Sequence, residues 1–423
     1  MKNWMAGLPA KLQNMVKEVD QQIAPRLAEI DEQVLYNQQR VLDLYREHHV
    51  AEEDLVGSTG YGTDDIGRDK LESIFADYFK TDDALIRPQL ATGTHAISTG
   101  LFACLRPGDT LYYMTGTPYD TIQEVIGIAG DNPGTMKDFR IDFDTTELLP
   151  NGKVDYDGVA AKLRANDHIK VVAIQRSCGY ATRASFTVAE IKEMIAFVRQ
   201  ILPNVIIFVD NCYGEFSETE EPTFYGADLM AGSFFKNAGA GFVKSGSFLV
   251  GRQDLIDACG ARLMAPGIGK AEGATYAYMR DYFEGFFMAP HTTGDAIKGA
   301  IFEAALLEKM GLDVSPKWDE PRTDIVQKVI FGKPEPMIKF CGAIQHHSAL
   351  NAFVDPIPSH MDGYEDKVIM ASGSFIEGST IELSCDGPLR EPYCLYIQGG
   401  LAYAHIKVAV THAVAETFFA EEQ

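Results

Sequence analysis

Val205-Ile206-Ile207-Phe208-Val209-Asp210 is the stretch that decides how this chain is read. A short unbroken apolar run, mostly β-branched, fits a strand buried on both faces of a parallel sheet. The run closes on a carboxylate, which falls at the strand's carboxyl end. Lys236 follows in Ala231-Gly232-Ser233-Phe234-Phe235-Lys236-Asn237. An aspartate so placed can hold a pyridinium nitrogen ionised, and a lysine one strand further along can form a Schiff base with an aldehyde. The pair points to pyridoxal phosphate chemistry, in which the cofactor is the electron sink and the protein positions it. The reading also requires a phosphate cradle, an aromatic to lie on the ring and an arginine for a substrate carboxylate.

Outward from this strand the pattern is that of an α/β protein. Leu111-Tyr112-Tyr113-Met114 and Val171-Val172-Ala173-Ile174 are further apolar runs, and helical stretches such as Val188–Leu202 lie between them. Strands alternating with helices predict a mostly parallel sheet covered on both faces. Leu27, Ile30, Val34, Val41 and Tyr45 recur at helical spacing, with Pro25 read as the break before that helix. The expected organisation is an N-terminal helical arm over 1–56, a large α/β domain over 57–300, and a smaller α+β domain over 301–423.

The bulk numbers exclude several classes. At 423 residues the chain is too long for one small core. A formal net charge of -23 argues against nucleic acid or an anionic membrane as partner, because phosphate binding needs clustered Lys and Arg. Seven scattered cysteines without a CxxC pair argue against a disulfide framework or zinc site and suit a reducing, cytoplasmic setting. No targeting segment or membrane span is visible.

Four features support the opening pair. Leu90-Ala91-Thr92-Gly93-Thr94-His95-Ala96 opens a predicted helix, whose N-terminus presents unpaired N–H groups to an anion; Gly93 and Thr94 are the phosphate candidates. An ordinary cap by Thr92 or Thr94 is the plainer reading. Tyr119, after the strand 111–114, sits at the edge where open α/β sheets bind ligands and can stack on a pyridine ring, with His95 as the alternative. Ser233, three residues before Lys236, can reach the phosphate. Arg390 in Gly387-Pro388-Leu389-Arg390-Glu391 offers a planar fork for a carboxylate, or else an ordinary surface ion pair. Lys244 and Lys270 are rival Schiff-base lysines. His346-His347 lacks further ligands at metal spacing, and Cys212 reads as a buried small residue rather than a nucleophile.

With these residues in place, the chain resembles the cystathionine synthase/lyase group of fold-type I pyridoxal-phosphate enzymes. Within it, the chain is similar to the methionine γ-lyase-related branch labelled aluminium resistance proteins. The resemblance rests on the loop Gly57–Arg68, Ala91–Ala96, Gln175-Arg176-Ser177-Cys178-Gly179-Tyr180, Asp210-Asn211-Cys212-Tyr213-Gly214-Glu215, Gly232–Asn237, Gly387–Tyr393 and Gln398-Gly399-Gly400. It implies a seven-stranded large domain and a homotetramer of catalytic dimers, in which Tyr61 and Arg68 cross to the partner's phosphate. It implies that Gly93, Thr94 and Ser233 hold the phosphate, Tyr119 stacks and Asp210 meets the pyridinium. It implies that Lys236 binds pyridoxal 5′-phosphate covalently and that Arg390 takes the substrate carboxylate. Three departures stand out: Arg176-Ser177 replaces the group's Asn-Pro segment, Phe235 precedes the lysine where the group has threonine, and the spacing from Tyr61 to Arg68 is longer than the group's.

The expected activity is carbon–sulfur lyase chemistry on cystathionine, cysteine or a methionine-like amino acid. Lys236 serves as general base at Cα, helped by burial that lowers its pKa. Transamination or a replacement reaction on the same cofactor, and a non-catalytic oligomer that keeps the fold, are the alternatives. A nicotinamide enzyme would need a GxGxxG turn, which Thr92-Gly93-Thr94-His95 does not supply.

Overall fold

The computed structural model describes residues 3–361 and 364–420. They divide into two compact units, one of residues 37–288 and one of residues 1–36 with 289–423. The sequence pattern put its boundaries at 56 and 300. The observed divisions fall instead inside α1 (Ala10–Glu47) and, further on, inside the long helix Met279–Lys309.

Pro25 does not break α1, which runs through it. Proline removes one backbone donor and crowds the preceding turn. Here an apolar stripe on both sides of it is buried, with Leu12, Val16, Val19 and Ile23 fully covered and Ile30 nearly so. Glu18 pairs with Lys309 at 2.9 Å, and Asp20 with Lys407 at 2.5 Å. Tertiary burial therefore overrides the local signal.

The unit of residues 37–288 is built on α2 (Ile66–Phe79), β1 (Asp83–Arg87), α3 (Gly93–Cys104), β2 (Thr110–Tyr113), α4 (Asp120–Ile126), β3 (Asp142–Thr145), α5 (Tyr156–Ala165), β4 (Ile169–Gln175), α6 (Val188–Ile201), β5 (Ile206–Asp210), β6 (Leu229–Ser233), β7 (Ser247–Gly251) and α7 (Gln253–Leu263). Its seven strands lie in the order β1-β7-β6-β5-β4-β2-β3. Only β7 runs against the others, pairing antiparallel with β1 and β6. The central strands are buried along their whole length, as continuous apolar runs on a sheet covered on both faces require. Helix starts follow local chemistry. At α6 the Thr187 hydroxyl accepts from the Glu190 N–H, while the Glu190 carboxylate accepts from the Thr187 N–H at 2.9 Å, a reciprocal cap. Val171↔Ile206 and Asp210↔Ala231 set the register that brings the carboxyl ends of β4, β5 and β6 side by side.

The other unit carries the end of α8 (Met279–Lys309), then β8 (Asp313–Ser315), β9 (Val326–Ile330), α9 (Pro334–His346), β10 (Val368–Ser372), β11 (Ser384–Pro388), β12 (Cys394–Gln398) and α10 (Tyr403–Phe418). Its five strands form an antiparallel sheet in the order β10-β11-β12-β9-β8. Among the described residues, no helix is long and apolar enough to cross a membrane.

Candidate active site

Three chain segments converge where β5 and β6 end. Asp210 closes β5 and is buried, with Oδ1 accepting from the Cys212 N–H at 3.1 Å. Ser233 closes β6 and is fully buried, and its Oγ has no hydrogen-bond partner. The start of α3 approaches both. A Cβ on Gly93 would lie 3.1 Å from Cys212 Sγ, close enough to press on the sulfur, and in van der Waals contact with Ser233 Cβ at 3.4 Å. Thr92 caps α3 through the His95 N–H at 3.1 Å. The N–H groups of Gly93 and Thr94, at the positive end of the helix, have no intrahelical acceptor. A bare buried hydroxyl facing a helix N-terminus is the chemistry of an anion cradle.

Tyr119 is held from two sides. Its hydroxyl hydrogen-bonds the Thr94 hydroxyl at 2.9 Å, and its backbone N–H donates to Gln175 Oε1 at 2.9 Å. Thr121 joins the Thr94 hydroxyl at 3.1 Å. His95, the alternative ring partner, accepts at Nδ1 from the Ala91 N–H instead, at 3.3 Å.

Electrostatically the site is a buried acid beside a largely buried amine. Burial pushes the Asp210 carboxyl above its ordinary range. The Cys212 N–H and thiol, Lys236 and Arg183 partly offset that rise. Lys236 Nζ lies 4.0 Å from the centroid of the Tyr213 ring. Burial pulls the lysine pKa down, as the sequence suggested, but Tyr213, Cys212 and Tyr119 push it up and the net direction is upward. The expectation of a lowered lysine pKa is corrected accordingly in direction.

The rival lysines are committed elsewhere. Lys244 pairs with Asp281 at 2.5 Å, and Lys270 with Asp83 at 2.6 Å and Glu72 at 3.3 Å. Arg68 is buried, and its guanidinium is taken up within its own chain. It donates to the Gly62 carbonyl at 2.7 Å, the Gly273 carbonyl at 3.2 Å and Asp69 at 2.9 Å. It therefore braces its loop instead of projecting from it, while Tyr61 on that loop is 77% exposed. Arg390 belongs to the other unit, half-exposed in the turn after β11 and paired with Asp366 at 3.0 Å. His346 pairs with Asp355 and His347 with Glu416, and no cluster of potential metal ligands occurs among the described residues. Cys212 is buried, and burial pushes its thiol pKa up.

Three residues escape a reading of the sequence alone. Arg176, fully buried, donates to Asn211 Oδ1 at 2.7 Å, Glu218 at 2.8 Å and Ser217 Oγ at 3.2 Å, and so fixes the residue beside Asp210. Tyr213 adopts a left-handed φ of 74°, an unusual state for a bulky residue. Glu215 is fully buried, and neither carboxyl oxygen has a hydrogen-bond partner; burial drives its pKa well up. The signals were the motif Asp210–Glu215 for Tyr213 and Glu215, and Gln175–Tyr180 for Arg176; neither motif's backbone geometry is written in residue spacing.

The profile of the family described as methionine gamma-lyase matches residues 12–418. A Bacillus subtilis (strain 168) relative, uncharacterized protein YnbB, is 52% identical over 404 residues, which is 95% of this chain and 96% of the relative. The crystal structure of a "putative cystathionine beta-lyase involved in aluminum resistance" from Listeria innocua superposes with a TM-score of 0.93 at 52% identity, covering 96% of this chain and 99% of that one. A carbon-sulfur lyase involved in aluminum resistance from Clostridium novyi NT gives a TM-score of 0.92 at 40% identity, covering 96% of each chain. The pyridoxal-5′-phosphate dependent protein YhfS from Escherichia coli, at 17% identity and a TM-score of 0.61 over 91% of this chain and 97% of its own, shares the fold. That fold is the fold-type I architecture of pyridoxal-phosphate enzymes.

Proposed function

The chain belongs to the methionine gamma-lyase family, and we propose that it is a pyridoxal-phosphate-dependent carbon–sulfur lyase acting on a sulfur-containing amino acid. One observation carries the reading: at adjoining strand ends, a buried carboxyl without a cation partner in hydrogen-bond contact, a partly buried lysine and a buried hydroxyl without an acceptor or donor converge on a helix N-terminus. Each unmet group fits one part of pyridoxal phosphate. The Gly93 and Thr94 N–H groups with Ser233 Oγ suit the phosphate. Asp210 suits a protonated ring nitrogen, and the ring face of Tyr119 suits the pyridine. Lys236 is the proposed point of covalent attachment.

When bound, the cofactor supplies an electron sink for the bonds at the substrate Cα. Asp210 keeps a proton on the ring nitrogen, an arrangement its dry surroundings strengthen. Lys236 takes the proton from Cα and can return it to a neighbouring carbon. Arg390 is the proposed carboxylate clamp, exchanging its pairing with Asp366 for the substrate. Tyr61 is proposed to reach a second copy's phosphate site within a homo-oligomer, with Arg68 holding the loop that presents it. The unit of residues 37–288 is then the proposed cofactor-binding part of the chain, in place of the expected domain over 57–300.

The test is direct. Protein loaded with pyridoxal phosphate and reduced with borohydride should carry the label on the peptide of Lys236. Release of thiol, ammonia and keto acid from cystathionine, cysteine and methionine would then identify the substrate. Failure to take up the cofactor, or a label on Lys244 or Lys270, overturns the assignment; keto-acid formation without thiol would make the enzyme an aminotransferase.

A further inference from the structure

Tyr213 stands apart from the residues assigned so far. It lies three residues past Asp210, with a left-handed backbone at φ 74°, and Phe216 in the same loop has φ 62°. Bulky residues adopt this region only where the surroundings hold them there, and such outliers cluster at functional sites. The holding group is Asn237, the neighbour of Lys236, whose Nδ2 donates to the Tyr213 carbonyl at 2.8 Å and to the Glu215 carbonyl at 3.1 Å. One strained loop and the turn that carries the lysine are thereby fixed to each other. The result places the Tyr213 ring against Lys236 Nζ, 4.0 Å from the ring centroid, and the Tyr213 phenol favours the charged form of the amine.

From this geometry we infer that Tyr213 is the positioning residue for Lys236, stabilising the ammonium that forms when the lysine accepts the Cα proton. The inference rests on the reading of Lys236 as that base. In the step concerned, the Cα–H bond breaks, its electron pair stays with the substrate carbon, and the proton forms a new N–H bond on the Nζ lone pair. An aromatic face and a phenol oxygen both favour the cationic product. A base whose conjugate acid is stabilised takes the proton more readily. The other groups facing Nζ are Asp210 and Cys212 at the end of β5, Glu215 in the same loop and Tyr119 at the start of α4. Of these Asp210 is reserved for the ring nitrogen, Tyr119 is engaged with Thr94, and burial holds Cys212 and Glu215 towards their neutral forms.

The experiment is done first on cofactor-free protein, so that it does not depend on loading. Cyanate, whose carbon is attacked only by a neutral amine, is allowed to react over a range of pH, and carbamylation of Lys236 is followed by peptide mass spectrometry. Tyr213→Phe should label about tenfold faster than wild type near neutral pH, a downward shift of about one pH unit in the lysine midpoint. Tyr213→Leu, which removes the ring as well, should shift further. Tyr213→Phe loses a single oxygen; unchanged melting confirms that it folds, and should Tyr213→Leu fail to fold the Phe variant alone decides. Equal labelling of wild type and Tyr213→Phe at every pH overturns the inference. In loaded enzyme, exchange of the substrate Cα proton with solvent should slow about tenfold in Tyr213→Phe with KM unchanged. Should borohydride leave Lys236 unlabelled, the functional reading fails and with it the catalytic meaning of the contact, whereas the cyanate result still reports whether the contact exists.

Discussion

The loop Asp210–Phe216 and the core around Glu303 both bury carboxyl groups that water would ionise, yet they do so differently. Glu303 sits on the regular backbone of α8, buried, with Oε1 bare. Near it the buried Arg322 donates from Nη2 to Gln327 Oε1 at 2.6 Å and to the Ala300 carbonyl at 3.0 Å, leaving Nε and Nη1 without partners. Burial lifts Glu303 to about 8, with Arg322 pulling the other way. In the loop, the buried acids Asp210 and Glu215 are accompanied by left-handed φ at Tyr213 and Phe216 and by a lysine within electrostatic reach. Buried charge alone therefore does not mark a site, because the same desolvation acts in both places. What separates them is strain in the backbone and convergence of several strand ends.

Removing the amine should break the comparison most sharply. Lys236→Ala is expected to lower lyase turnover by about a thousandfold or more, with little change in the melting temperature. A comparable loss of stability would show that the lysine is a packing residue like those around Glu303.

The next effect lies in the other unit and depends on pH. A glutamate titrates near 4.5 in an unfolded chain, whereas Glu303 in the folded chain titrates at about 8. Between these values the folded form keeps a proton that the unfolded form has released. Stability from this group is thus complete at low pH, falls as pH rises through the window and is level above it, by roughly a few kcal/mol in all. Glu303→Gln should flatten that slope in urea titrations at about pH 5 and about pH 8. An unchanged slope would mean that Arg322 holds the acid ionised throughout.

Smaller effects test the loop. A Cβ on Gly232 would come within 2.3 Å of Glu215 Oε1 and of the Phe248 ring. Gly232→Ala should therefore destabilise the protein by about 1–3 kcal/mol in chemical denaturation; a smaller change would show that Glu215 can move aside. Ser233→Ala should weaken pyridoxal phosphate binding by about 1 kcal/mol, close to fivefold in Kd by absorbance titration, with stability unchanged or raised because a bare hydroxyl is removed.

The strands of the larger unit were legible because a strand buried on both faces writes an unbroken apolar run, as in 205–209. The positions of Asp210, Ser233 and Gly93 were legible for the same reason, since each adjoins the end of a recognisable element. Pro25 misled because a local rule met a buried stripe that spans it. Arg176, Tyr213 and Glu215 were invisible because their roles come from contacts across the fold: Arg176 with Asn211, Asn237 with the carbonyls of Tyr213 and Glu215, and Gly232 against the Glu215 carboxyl. Arg68 reads as a reaching arm because its loop matches the one that crosses the interface in the group the chain resembles. Only the three-dimensional loop shows its donors already spent on carbonyls.

The bonds that hold Tyr119 have a consequence for binding kinetics. Its hydroxyl and its N–H are tied to residues at the start of α3 and the end of β4 before any ring arrives. Freezing a side chain of this kind during association costs about 0.5–1.5 kcal/mol. Here that ordering is complete once the chain has folded. If Tyr119 stacks on the ring as proposed, an incoming planar ligand meets a side chain already ordered, so capture should depend on diffusion and desolvation, with no wait for that residue to settle.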